Sequence, residues 1–317
     1  MGNASYGAAV QVRFIAATLL ALATSAVAAR APNAAGRFAV GSTTVTVLDA
    51  SRAGRTLVTE VWYPAEAAGR DTQLRRGRFP LVLLAHGFCG SRTNYEYLSS
   101  HLASWGFLVA APDFPDVFAG DCGRPARGVP AIDLPRDLSF LRAQFHARSG
   151  PASRFARAVR GERAGLVGHS FGGFAVLGAT LIDDALPVVV ALAPVSPLTA
   201  CTDVGPLRPR RDVMVMSGTA DDLVPYDPWI AALFALLPPP AVAVKIVGGT
   251  HSGFTDVDAS LTTDALARQQ RLARRYATAF LERHLVGHRS FSRFLSPADA
   301  TGQQTGVEII AASARCD

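Results

Sequence analysis

Lysine is almost missing from this chain. Lys245 is the only one, so the excess of 31 basic over 25 acidic side chains is an arginine excess. The arginines are scattered, and their densest group, Arg268, Arg271, Arg274 and Arg275, falls at helical spacing and reads as a solvated helix face. No basic block and no nucleic-acid motif accompanies the net charge of +6, so no nucleic-acid partner is expected. Cysteine is scarce as well. Cys89, Cys122, Cys201 and Cys316 fit no zinc-ligand spacing, and neither a metal nor a cofactor is implied. No apolar run is long enough for a confident membrane span of about 20 residues. No repeat, charge block or low-complexity linker divides the 317 residues, of which 49% are hydrophobic, so one domain with a large core is expected.

What is present begins with a targeting segment. Arg13 precedes the apolar run Phe14–Val27, which contains Ala26-Val27-Ala28, an A-x-A cleavage pattern. Residues 1–28 therefore read as a signal peptide, with an uncleaved anchor as the alternative reading. Residues 29–317 form the mature chain, secreted or periplasmic and without a stable membrane anchor. In an oxidising compartment an even number of cysteines favours disulfides.

Strand and helix patterns then alternate. Arg37–Leu48 and Thr56–Tyr63 read as an antiparallel pair, and Pro80–Ala85 as a buried strand. Thr93-Asn94-Tyr95-Glu96 reads as a capping box opening a helix to about Ser104. Phe107–Ala111 is a strand, Pro115–Pro130 an irregular insertion, and Leu134–Ser149 a helix. Strands Pro187–Leu192, Val213–Met216 and Ala241–Val247 follow, with a helix near Asp227–Leu237 and a long one over Asp264–Leu285. This alternation predicts an α/β fold: a mostly parallel, doubly wound sheet with helices on both faces and its site at the strands' carboxyl ends. The connection Ala193–Asp212 is short and proline-rich, so no large cap domain is expected.

The chemistry gathers around Ala164–Gly173. A short apolar strand runs into Gly168-His169-Ser170-Phe171-Gly172, and a helix follows. A serine between two glycines at such a joint reads as a nucleophile elbow, because the glycines relieve the crowding of a very sharp turn. A serine needs a base, and the base an orienting acid. His251, in a glycine-rich turn after a strand, is the expected base; His284 and His288 come too late, and His169 sits too near Ser170 to face it. Asp221 is the expected acid and Asp222 its alternative, both in the loop after Val213–Met216. The backbone N–H groups of Phe88 and Phe171 are the expected oxyanion donors, with His86 as a loop brace. Phe88, Phe171 and Trp229 are candidate apolar walls for substrate.

Over Arg55–Leu285 the chain resembles the α/β-hydrolase superfamily. VWYP at 61–64, HGF at 86–88, APDFP at 111–115 and GHSFGG at 168–173 are similar to platelet-activating-factor acetylhydrolases and dienelactone-hydrolase-like esterases. GTADDLVP at 218–225 and GGTHSGFTD at 248–256 are similar to the acid and histidine loops of that group and of cutinase-like polyester hydrolases. The resemblance implies a serine carboxylic-ester hydrolase working through an acyl-enzyme on small-molecule or polymeric esters. Acyl transfer or amide cleavage by the same triad is the alternative, and a non-catalytic binding protein on this fold a more distant one. In such a fold the strands before Cys89 and Cys122 are neighbours, which favours Cys89–Cys122 and leaves Cys201–Cys316.

Overall fold

The computed structural model describes residues 1–2, 30–115, 117, 133–196, 211–302 and 306–311. The chain divides into two units, 1–30 and 31–317. The signal segment, most of the Pro115–Pro130 insertion, residues 197–210, and Cys122, Cys201 and Cys316 lie outside the described residues. Every element below belongs to the second unit.

Ten strands form one sheet: β1 (Ala39–Asp49), β2 (Arg55–Ala65), β3 (Gly69–Arg70), β4 (Phe79–Ala85), β5 (Leu108–Pro112), β6 (Val159–His169), β7 (Val188–Leu192), β8 (Asp212–Gly218), β9 (Ala241–Ile246) and β10 (Val307–Ala311). Their order is β10-β9-β8-β7-β6-β4-β5-β2-β1-β3. From β5 to β9 every pairing is parallel, while β2 joins β5, and β10 joins β9, antiparallel. The opening antiparallel pair is present in register from Ala39↔Ala65 to Asp49↔Arg55. β4 and β5, the strands before Cys89 and Cys122, are neighbours.

Central strands read as unbroken apolar runs because both of their faces are covered. Leu81, Leu83 and Ala85 of β4 join one core, and Val82 and Leu84 the other. The first core takes Leu138 and Leu141 from α2 (Asp133–His146) and Val176 and Leu177 from α4 (Phe171–Ile182). The second takes Leu98 and Leu102 from α1 (Glu96–Trp105) and Leu272, Tyr276 and Phe280 from α6 (Thr263–Leu281). Shorter helices are α3 (Ser153–Ala156), α5 (Ala231–Leu236) and α7 (Pro297–Gly302).

Two expectations need correction. The segment Asp227–Leu237 is not one helix: a separate turn, Tyr226–Ile230, with Asp227 extended at φ −104° and ψ 128°, precedes α5. The capping box at Thr93–Glu96 does not form either. Tyr95 occupies the cap position without a side-chain bond. The orphan amides of Glu96 and Tyr97 instead donate to the Asp256 carboxylate at 2.8 and 2.9 Å, from a loop remote in sequence. A carboxylate there also complements the helix dipole. Asp256→Ala is expected to cost about 1–2 kcal/mol, a typical capping loss, in denaturant unfolding.

His101 of α1 is buried, with Nε2 2.8 Å from the Pro32 carbonyl oxygen and 3.1 Å from Thr278 Oγ1. Burial, aided by the nearby Arg274 charge, pushes its pKa down to about 4 from 6.5. The folded imidazole stays neutral where the unfolded one takes a proton. Its stabilising share is complete above pH 6.5 and is lost as pH falls through 4. At about 1.4 kcal/mol per pKa unit this amounts to about 3 kcal/mol. Thermal unfolding followed from pH 7 to 4 is expected to show a shallower decline in His101→Gln than in the parent protein.

Candidate active site

The chain passes from β4 to β5 on one side, then returns across β4 to β6 on the other. That reversal makes the carboxyl ends of β4 and β6 a topological switch point, where the flanking connections diverge and leave a crevice. His86-Gly87-Phe88 follows β4 directly, and Ser170 follows β6. The loops after β8 and β9 supply Asp221 and His251.

Ser170 has φ 55° and ψ −118°, a conformation that non-glycine residues rarely hold. Its N–H donates to the Leu192 carbonyl at 2.9 Å, and its own carbonyl accepts from Gly173 and Val195. A Cβ added at Gly168 would stand 2.2 Å from the Gly172 carbonyl oxygen; one added at Gly172 would stand 2.2 Å from that of Ala85. The two glycines are therefore demanded by backbone packed against backbone.

Nδ1 of His251 lies 2.8 Å from Asp221 Oδ2. The other oxygen, Oδ1, accepts the N–H groups of Leu223 and Val224 at 3.0 and 2.7 Å. Asp221 is 4% exposed and His251 7%, so their bond is sheltered from water. Asp222, the alternative acid, is exposed. The two loops are locked together: Ala220 N–H donates to the Gly249 carbonyl, and a Cβ at Gly218 would stand 2.0 Å from that same oxygen. Gln269, buried on α6, clamps the residue before the histidine by accepting from Thr250 N–H at 3.0 Å and donating to its carbonyl at 2.9 Å.

The imidazole of His86 is buried, with Nδ1 2.8 Å from the Gly87 carbonyl oxygen and Nε2 accepting the Phe114 N–H at 3.1 Å. Burial lowers its pKa, and a neutral ring bracing the loop against the end of β5 fits its expected role. The N–H groups of Phe88 and Phe171 have no hydrogen-bond partner among the described residues. Two unpaired donors thus flank Ser170, one of them at the start of α4. The Phe88 and Phe171 rings meet edge to face at 6.4 Å, and Phe174 stacks on Phe171 at 5.4 Å. Trp229 is 63% exposed and makes no ring contact with them. Cys89 is disulfide-bonded, but both expected pairings run to cysteines outside the described residues.

His284 and His288 stand apart from this cluster: His284 pairs with Asp212 at the amino end of β8, and His288 with Glu282. Sequence reasoning passed over His169, Tyr95 and Gln269. His169 is buried, its ring 4.7 Å from that of His251, with Nε2 3.0 Å from the His251 carbonyl oxygen and Nδ1 2.8 Å from Tyr95 Oη. Its place beside Ser170 was the available signal; Tyr95 and Gln269 had none, because their partners are remote in sequence.

A sequence model of the family described as Chlorophyllase matches residues 59–207, under half of the chain. Among solved structures, a ferulic acid esterase from Streptomyces cinnamoneus superimposes with a TM-score of 0.67 at 23% identity. That match covers 80% of this chain and 92% of the esterase. No curated protein matches. The switch-point crevice and the glycine-flanked turn at Ser170, with a structural match over most of the chain, show that this chain has the α/β-hydrolase fold.

Proposed function

We propose that this protein is an exported serine carboxylic-ester hydrolase. The observation that carries the reading is the buried His251–Asp221 bond of 2.8 Å at the carboxyl end of the sheet that also presents Ser170. In this reading Asp221 holds the Nδ1–H tautomer of His251, leaving Nε2 free to take the Ser170 proton as Oγ attacks the ester carbonyl. The Phe88 and Phe171 amides receive the oxyanion. Collapse of the tetrahedral intermediate expels the alcohol, protonated by His251. Water, deprotonated by the same imidazole, then releases the acid and restores Ser170.

The family match and the structural neighbour's description as an esterase support carboxylic esters as substrates. The Phe88–Phe171–Phe174 cluster suits an apolar or aromatic acyl group beside the nucleophile. Phe88, Leu223, Trp229 and Val257, on loops after β4, β8 and β9, are 54%, 69%, 63% and 75% exposed. These side chains suit short- to medium-chain soluble esters and, more slowly, polyester surfaces. Export rests on the N-terminal pattern, and the disulfide at Cys89 accords with an oxidising compartment.

On a chromogenic ester panel, Ser170→Ala and His251→Ala are expected to lower kcat by about 10³–10⁶-fold with folding intact, and Asp221→Asn by about 10²–10⁴-fold. Asp222→Asn should stay near the parent rate. Full turnover by Ser170→Ala would overturn the reading. The short β7–β8 connection implies an open cleft, so the rate on tributyrin is expected to rise smoothly through its solubility limit. A sharp increase when droplets appear would reveal a mobile lid instead.

A further inference from the structure

We propose that His169 is a positioning residue that, through Tyr95, ties the oxyanion loop to the backbone of the catalytic base. The proposal rests on the serine-hydrolase reading above, because it assigns work to a side chain that reaches Phe88 only through Tyr95 and Gly87, and His251 through its main chain.

The argument is one of hydrogen-bond direction. Gly87 N–H donates to Tyr95 Oη at 3.2 Å, occupying an acceptor position on that oxygen. The single Tyr95 proton is then free to point at His169 Nδ1, 2.8 Å away. With Nδ1 accepting, the ring proton of neutral His169 sits on Nε2 and donates to the His251 carbonyl at 3.0 Å. An unbroken, one-way chain thus runs from Gly87, the residue before one proposed oxyanion donor, to the main chain of the proposed base. Every member is buried: Tyr95 is 2%, His169 5% and His251 7% exposed, and Gly87 is enclosed as well. At such depth a broken link leaves a polar atom unpaired, so the chain resists rearrangement.

Contact reinforces the bonds. A Cβ built at Gly87 would stand 3.1 Å from Ser170 Cβ and 3.4 Å from His169 Nδ1, so the loops after β4 and β6 already touch. The His169 ring also packs against Tyr95 at 5.7 Å and Phe254 at 6.0 Å. Burial, with the His251 ring beside it, pushes the His169 pKa down to about 3, so it carries no charge to oppose the imidazolium that forms on His251 during acylation. What the clamp fixes is relative placement: the oxyanion donor on one strand end and the base on another, with the nucleophile between. Misplacement by about 1 Å can cost about 10²-fold in rate, and the loss falls on the transition state more than on substrate binding.

The test is steady-state kinetics on a soluble chromogenic ester, using the full mature protein. A glutamine at 169 can accept from Tyr95 through Oε1 and donate to the His251 carbonyl through Nε2, whereas leucine can do neither. His169→Leu is expected to lower kcat about 100-fold with KM within about threefold, and His169→Gln to recover most of that loss. Tyr95→Phe opens no cavity and cuts the chain at its middle, so it serves if His169→Leu does not fold; its kcat is expected to fall about 10-fold with KM unchanged. Equal impairment of the leucine and glutamine variants would mean that the ring only fills space and would overturn the proposal. So would parent kcat in His169→Leu or in Tyr95→Phe. Parent activity and its loss in Ser170→Ala test the underlying reading separately, since a sound triad with an unaffected His169→Leu sinks the clamp alone.

Discussion

The fold turns on one steric constraint, the contact of bare backbone at the joint of β6 and α4. Gly168 faces the Gly172 carbonyl, and Gly172 in turn faces the Ala85 carbonyl, at separations that leave no room for a methyl group. Because strand, helix start and neighbouring strand touch through main chain, Ser170 is forced into a positive φ and its side chain is lifted off the sheet. The strain of that conformation is offset by hydrogen bonds at both peptide groups of the serine and by the first core, into which α4 packs Ala175, Val176, Leu177 and Ala179. Ser170 is thus placed by packed backbone on three sides of the turn and not by its own side chain.

Asp221 and His251 obey the same logic after two strands further along the sheet. β8 and β9 are paired in parallel, and beyond them Gly218 and Gly249 again bring backbones into contact. Asp221 spends one oxygen on two amides of its own turn and keeps the other for His251. A carboxylate so held cannot rotate away, and the imidazole it orients is held from behind by Gln269 through Thr250. Loops after strand ends carry Ser170, Asp221 and His251, and a helix on the second core braces the last of them through Thr250.

Much of this could be read from sequence because it is local. The apolar runs of β4 to β9, the glycines around Ser170, and the post-strand positions of Asp221 and His251 are all stated within a few residues. What escaped reading is long-range. Asp256 caps a helix that starts far upstream, so the local capping pattern at Thr93 was misleading. His169 was set aside for being next to Ser170, yet the chain turns sharply at Ser170 while His169, the last residue of β6, packs its ring 4.7 Å from that of His251. Tyr95 and Gln269 look like ordinary core and helix residues until the fold places a backbone amide against each. β10 was not foreseen among the strands either: it has only five residues, and its partner β9 is more than 60 residues upstream.

That last strand has a consequence for how the chain reaches its final form. Until 307–311 pair with Val242–Ile246, the outer rim of β9 carries unanswered amides and carbonyls beside Val242 and Val244. Such a rim is a template for any extended peptide, including another copy of the same segment. During synthesis the rim exists as soon as β9 docks on β8, while its cover is still to be made. A folding chain therefore passes through an interval in which its sheet is sound but unsealed, and safe passage depends on how quickly the final strand arrives.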